Sequence, residues 1–516
     1  MPKRSRPNFL FFMVDQMRFD HVGFGGNGIV QTPNLDALAA LGMVYDKAYV
    51  ATPTCMPNRA SLLTGLMPSR HGSRVNGIPL RKDLDTFVRK LKGSGYKTGL
   101  VGKAHFQPFG IVKDPKGSSS WPNLSFDFEI PWDSWESIAL HERRFIKLPE
   151  DYYGFDEVDL VLGHSDMAGG HYTHWLRDQG MEPEALRGRN NALEICADWH
   201  QVYKPLTPEP LYPTSYISEC ARQRLFEYAK ESEPFFLMVS FPDPHHPFTP
   251  PGDYYGKYPS SEMETPRTFF DSHRRSMPHY RAMIAERGVS RTEYGGWSPT
   301  VDQYKAAVSA EFGMIELIDK NIGNLLGFLN DLGMADNTVV VFTSDHGDMF
   351  GDHGVMLKHA MHYDACLHVP LIVYCPGAAA TRCSALVNTL DISSTILALA
   401  GCDAIQGSQG QLLPGVLADA AVQPRASLLV EEDQVEPVFG LSSPLRMRTV
   451  ITKEGRLTLY DGYPHGELFN HVSDPDEMGN LYGLTKARRF EAEMRNEMLS
   501  LLIRNSEDWD VPRFIG

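Results

Sequence analysis

Four short apolar runs, each followed within a few residues by polar groups able to do chemistry, restrict this chain to a narrow set of folds. Phe9–Val14 leads into Asp15-Gln16, Thr98–Val101 into Lys103 and His105, Phe235–Phe241 into His245, and Thr338–Thr343 into Asp345-His346. A fifth run, Leu371–Tyr374, has the same bias toward β-branched and aromatic residues. Runs this short and unbroken read as strands buried on both faces. Helix-like segments separate them: Leu35–Leu41 behind Pro33 and Asn34, Thr86–Leu91 with Gly93 as its C′ glycine, and Val301–Leu332 stopped by Gly333. The alternation predicts an α/β fold, a central and mostly parallel sheet sandwiched by helices. Ligands in such sheets gather outside the carboxyl ends of the strands. Independent strands therefore bring carboxylates, histidines and a lysine to one edge.

From about Arg425 the character changes. Ser427–Val430, Met447–Thr452 and Arg456–Tyr460 read as strands joined by turns such as Asp461-Gly462, and a helical tail follows over about 485–503. This predicts a smaller antiparallel sheet packed with a helix. The division expected is a catalytic α/β domain over 1–424 and a C-terminal α+β subdomain over 425–516. Two insertions, near 106–213 and 252–298, interrupt the first domain, and the former carries Trp121, Trp132, Trp135, Trp175 and Trp199. Segments of that length serve as lids, specificity loops or the subunit contacts of a homo-oligomer. Most of these tryptophans are expected simply to pack the insertion.

A formal charge of −15 argues against nucleic acid or an anionic membrane as main partner, since both demand a basic face. The apolar run at 9–14 is too short for a leader, lacks a small-residue cleavage site and runs straight into Asp15, so it is read as the first strand. The seven cysteines, at 55, 196, 220, 366, 375, 383 and 402, make no disulfide framework. With no export signal, a reducing cytoplasm is the expected compartment.

Cys55-Met56-Pro57-Asn58-Arg59, continued by Ala60–Gly65, places a cysteine at a helix N-terminus, where free N–H groups and the dipole favour an anion. A buried structural thiol with a nearby surface Arg is the lesser reading of this stretch. A tyrosine-phosphatase loop is a poorer match, because it needs five residues between Cys and Arg. Asp15, Gln16, Asp345 and His346 form a plausible cation site of three hard oxygen donors and one imidazole. The oxygens favour Ca²⁺ or Mg²⁺; the imidazole tilts toward Mn²⁺. Nearby Asp348, Asp352 and His353 are expected to form a solvated acidic loop.

The order Asp15-Gln16, Cys55-x-Pro57-x-Arg59, Gly102-Lys103-Ala104-His105, Pro244-His245-His246-Pro247 and Thr343-Ser344-Asp345-His346-Gly347 resembles the formylglycine-dependent (type I) sulfatases of the alkaline phosphatase superfamily. Leu468-Phe469-Asn470, Asp474-Pro475 and Asn480-Leu481 are similar to the closing domain of that family, so the resemblance spans nearly the whole chain. It implies an alkaline-phosphatase-like fold, oxidation of Cys55 to formylglycine by a formylglycine-generating enzyme, and one divalent cation, Ca²⁺ ahead of Mn²⁺. It further implies Asp15, Gln16, Asp345, His346 and the modified Cys55 as metal ligands, with residue 55 also the nucleophile. By the same resemblance Arg59 orients the nucleophile, Lys103 and His105 flank it, His245 serves the leaving group, Lys358 binds the ester oxygens and Asn76 lines the anion pocket. Gln16 and His346 depart from the commonest arylsulfatase pattern and match choline-sulfatase-like and phosphonate-monoester-hydrolase-like relatives. Lys103 and His105 look more like true sulfatases. The implied activity is hydrolysis of small aryl or alkyl sulfate monoesters. The alternatives are a phosphonate monoester or phosphodiester hydrolase at the same site, and a non-catalytic metal-binding protein with an unmodified Cys55. His246 beside His245 leaves the proton donor open between neighbours.

Overall fold

The first apolar run is the spine of the molecule. In a computed structural model describing residues 6–110, 130–290, 295–417 and 422–506, Asn8–Val14 is fully buried and pairs in parallel on both sides. Its neighbours are Thr338–Ser344 and Phe235–Ser240; Lys97–Gly102 and Glu157–Leu162 extend the parallel set beyond the latter. Beyond Thr338–Ser344 the sheet continues with antiparallel Leu371–Tyr374, then Met43–Tyr45 and Thr381–Cys383, and among the described residues it has nine strands. The register leaves the parallel ends nearly flush: Val14 faces Ser344, Met13 faces Ser240, and Ser240 faces Gly102.

Alternation along these strands feeds two cores. Leu10, Phe12, Leu237, Val239 and Phe342 pack beneath helices Pro213–Tyr228 and Val301–Asp331. Phe9, Phe11, Met13, Phe236 and Val341 pack beneath Cys55–Thr64, Phe87–Gly93 and Leu390–Ala400. Each such side chain contributes roughly 1.5–3 kcal/mol of burial, which is why an unbroken apolar run belongs in the middle layer. The long helix starts with a full capping box, Thr300 with Gln303, and stops before Gly333 at φ 71°.

Two expectations change. Gly93 is the last helical residue, and the left-handed residue that turns the chain is Gly95, at φ 89°. The span 106–213 is more than an insertion, because it supplies Glu157–Leu162 and the short antiparallel Gly169–Gly170 to the main sheet. Half-exposed Glu157 and Asp159, paired with Arg224, interrupt the apolar pattern of that outer strand. Trp199 is buried in the core, whereas Trp121 lies outside the described residues.

The C-terminal region is an antiparallel sheet of Ser427–Asp433, Arg446–Thr452, Gly455–Tyr460 and Gly466–Asn470. Helix Arg488–Arg504 lays Met494, Met498 and Leu501 against Leu429, Val450, Leu457 and Leu468. Among the described residues no helix is long and apolar enough to cross a membrane. None of the seven cysteines is in a disulfide.

Candidate active site

Five parallel strands end on one edge, and each hands a functional group to it. Val14 is followed by Asp15 and Gln16, Gly102 by Lys103 and His105, Leu162 by His164, Ser240 by Asp243 and His245, and Ser344 by Asp345 and His346. The turn after Lys97–Gly102 needs its glycine: φ is 108°, and a Cβ there would lie 1.9 Å from the Ser240 carbonyl oxygen. That close approach lets Lys103 N–H donate to the same oxygen at 2.8 Å, aiming the lysine inward.

Helix Cys55–Thr64 begins at this edge and is buried along its whole length. One ligand atom each from Asp15, Cys55, Asp345 and His346 lies within 4.8 Å of the others, all buried. Cys55 Sγ is 3.0 Å from His346 Nε2 and 3.8 Å from Asp15 Oδ1, and His346 Nε2 is 3.6 Å from both Asp15 Oδ1 and Asp345 Oδ1. Donors around a cation at about 2.0–2.6 Å sit roughly 3–4 Å apart, so these spacings suit one. His346 Nδ1 donates to the Gly347 carbonyl at 2.7 Å, which turns the bare Nε2 lone pair toward the cluster. The donor set therefore fits a divalent ion.

Cationic side chains offset the carboxylates. Arg59 is fully buried; Nε donates to Asp345 at 2.7 Å, and Nη1 to the Lys103 carbonyl at 2.8 Å and Ser240 Oγ at 2.9 Å. Its Nη2 lies 3.5 Å from Asp15 Oδ2. Lys103 Nζ donates to Asp15 and sits 2.7 Å from His164 Nε2. Burial alone would raise the Asp15 carboxyl, but Lys103 and then Arg59 hold it well below the usual range. Asp15, His164 and His245 make a second close group, and the Lys103 ammonium bonds two of its three members. Burial, then Asp15, pushes the Cys55 thiol up to about 11.

On the far side, Lys358 Nζ donates to the Gln16 carbonyl and lies 2.8 Å from His245 Nε2. The Gln16 oxygen keeps a second lone pair for a cation. His245 donates from Nδ1 to the His246 carbonyl, and its ring stacks on His164 at 3.6 Å. Burial, then His164 and Lys358, keeps His245 neutral. His246 instead faces Gln16, its Nδ1 3.1 Å from Nε2. His105 stacks on Phe109 at 3.9 Å; burial, then Lys103, keeps it neutral, and its Nδ1 has no hydrogen-bond partner among the described residues. Asn76 is exposed at the rim, where Oδ1 accepts from Met56 N–H at 3.2 Å in the first turn of the cysteine's helix.

All eleven residues singled out in the sequence thus belong to this edge or its rim. Three others were missed. His164 follows a strand end, the same signal as its neighbours, but Asp159 broke the preceding run. Glu136 accepts from the N–H groups of His105, Phe106 and Gln107 at 2.7–2.9 Å and is pushed up to about 7 by burial; no sequence pattern marks it. The solvated loop expected at Asp348, Asp352 and His353 is not what the structure shows. Asp348 is fully buried and accepts from Gln16 Nε2 at 2.6 Å and from Phe350 and Leu357 N–H; Asp352 pairs with Arg18 at 2.6 Å and buried His353 with Asp271 at 2.9 Å.

A sheet covered by helices on both faces, with a smaller antiparallel sheet, is an alkaline-phosphatase-like fold, and solved structures share it. The phosphonate monoester hydrolase of Agrobacterium radiobacter superposes with a TM-score of 0.75 at 24% identity, covering 97% of this chain and 96% of that one. Residues 7–402 match the sulfatase family, and 351–504 match the C-terminal region of N-sulphoglucosamine sulphohydrolase. The chain belongs to the sulfatase family and is a sulfuric ester hydrolase. An uncharacterized sulfatase of Escherichia coli K12, YidJ, is 28% identical over 96% of this chain and 87% of its own length. An arylsulfatase of Clostridium perfringens is 27% identical over 92% of this chain and 90% of its own.

Proposed function

We propose that this chain hydrolyses small aryl or alkyl sulfate monoesters, using formylglycine at position 55 and one divalent cation. The observation that carries the reading is the meeting of Cys55 with Asp15, Asp345 and His346 at a buried helix start, ringed by Arg59, Lys103 and Lys358. Asp15, Gln16, residue 55, Asp345 and His346 would hold the cation, with Ca²⁺ favoured by the oxygen donors and Mn²⁺ the alternative. Such an ion, when bound, offsets charge on the ester oxygens and acidifies a hydroxyl. Formylglycine, as its hydrate, supplies two hydroxyls on one carbon.

The chain's own groups do the rest. A sulfate ester is anionic, so Lys103, Lys358 and Arg59 counter charge that builds on its oxygens. Lys358 and Asn76 orient the ester. The Lys358 ammonium faces a neutral His245, so the proton for the departing oxygen sits within this pair, and His245 Nε2 is the atom that delivers it. Neutral His105, its Nδ1 unpaired among the described residues, is suited to take a proton from a hydroxyl at position 55.

Turnover of an aryl sulfate against a phenylphosphonate monoester tests the reading. The sulfate is expected to have the higher kcat/KM; the reverse order would make this a phosphonate hydrolase. His245→Ala is expected to slow alkyl sulfates by about 10²-fold more than nitrophenyl sulfate, whose leaving group needs no proton. Equal losses would move the acid role to Lys358.

A further inference from the structure

The loop that carries Lys358 is strained. Leu357, His359 and Ala360 all have left-handed backbones, at φ 69°, 81° and 60°. No glycine relieves them, and such residues persist only where their surroundings over-determine them. The surroundings come from the C-terminal sheet. Its edge strand, Ser427–Asp433, ends in three acidic residues, Glu431, Glu432 and Asp433, all buried. Consecutive buried carboxylates are costly unless each is satisfied.

Each meets a partner in the catalytic domain, and Gln434 and Arg448 of the C-terminal region add to Glu432 and Asp433. Glu431 accepts from Ser69 N–H at 2.8 Å and its hydroxyl at 3.0 Å. Asp433 pairs with Arg74, two residues from Asn76, at 2.6 Å. Glu432 reaches the strained loop itself. One oxygen accepts from Ala360 N–H at 2.9 Å and lies 3.8 Å from His359 Nδ1, while the other accepts from His362 Nε2 at 3.0 Å. His362 is fixed in turn by Thr449 of the next strand, at 2.7 Å. Burial alone would raise the Glu432 carboxyl; the nearby His359 ring and the hydrogen bond from His362 hold it well below the usual range. Lys358 thus sits between Leu357, whose N–H is held by Asp348, and the Ala360 turn held by Glu432, and its Nζ is aimed at Gln16 and His245.

We propose that Glu432 is a positioning residue for Lys358, so that the C-terminal sheet completes the active site; this rests on the role given to Lys358 above. Displacement of a catalytic group by about 1 Å costs on the order of 10²-fold in rate. Residues that act through one another lose additivity. The test is a double-mutant cycle on kcat and KM for an aryl sulfate. Glu432→Ala is expected to lose about 10²-fold in the wild-type background, mostly in kcat, and under about 3-fold in the Lys358→Ala background. Glu432→Gln, which keeps an acceptor for the Ala360 N–H, is expected to recover at least about tenfold of that loss. Equal losses in the two backgrounds would overturn the proposal, since a carboxylate that merely supports the fold weakens both alike. Should the alanine variant fail to fold, the cycle with Glu432→Gln decides by the same criterion. Full activity of Lys358→Ala would overturn the assignment of Lys358 itself, and the positioning role with it.

Discussion

Replacement of Cys55 by alanine is expected to lower sulfate-ester turnover by about 10⁴-fold or more and to leave the fold in place. The side chain is small, and its removal costs at most about 1–2 kcal/mol, because helix Cys55–Thr64 is held by Ala60, Leu62 and Leu63 in the core beneath it. Loss of secondary structure together with turnover would assign Cys55 a packing role instead. Cys55→Ser sharpens the test. A seryl oxygen can attack sulfur, but its carbon bears no second hydroxyl to expel the sulfo group. That variant is expected to turn over at most once and to gain the mass of one sulfo group on the peptide spanning residue 55. Mass spectrometry of the same peptide in the wild-type protein, expressed with a formylglycine-generating enzyme, should find the aldehyde or its hydrate. An unmodified thiol on a fully active enzyme would end the proposal.

The sheet was legible because burial on both faces leaves an unambiguous mark. Phe9–Val14, Thr338–Thr343 and Leu371–Tyr374 were read within a residue of their observed ends. The long helix was as clear, since Tyr304, Val308, Phe312, Ile315 and Ile322 all face the core. What escaped was the outermost parallel strand, where exposure permits Glu157 and Asp159 and so erases the run. The fourth strand of the C-terminal sheet, Gly466–Asn470, escaped for a related reason: Glu467, buried and paired with Arg456 at 3.3 Å, breaks the apolar pattern of a short segment.

The site was legible in the same measure. Where a polar residue follows an apolar strand directly, as at Asp15, Lys103, His245 and Asp345, position alone marked it. Carboxylates that work by long-range contact left no such mark. Glu136 is 29–31 residues from the backbone it braces, and Glu432 is 72 from Ala360. Asp348 misled for the opposite reason: beside Asp352 and Gly351 it resembles a loop that water would solvate, yet Gln16 and two backbone N–H groups replace the water. A buried carboxylate is recognised by its partners, and partners are tertiary facts.

Loss of Arg59 is expected to cost more stability than any other single change at this edge. Its guanidinium bonds Asp345, the Lys103 carbonyl and Ser240, and faces Asp15, so one planar fork joins four of the five parallel strand ends. Arg59→Met keeps much of the volume but leaves Asp15 and Asp345 with less opposing charge in a site closed to water. Breaking one side of such a buried pair costs about 3–5 kcal/mol. Arg59→Lys is expected to recover only part of this, because an ammonium satisfies one or two acceptors where the fork satisfies all four. Equilibrium unfolding in denaturant, read by circular dichroism, measures both. A loss below about 1 kcal/mol for the methionine variant would mean that Lys103 alone balances Asp15, and that Asp345 finds its countercharge elsewhere. The order expected, wild type above lysine above methionine, follows from geometry as well as charge: one residue of the cysteine's own helix ties four converging strand ends together.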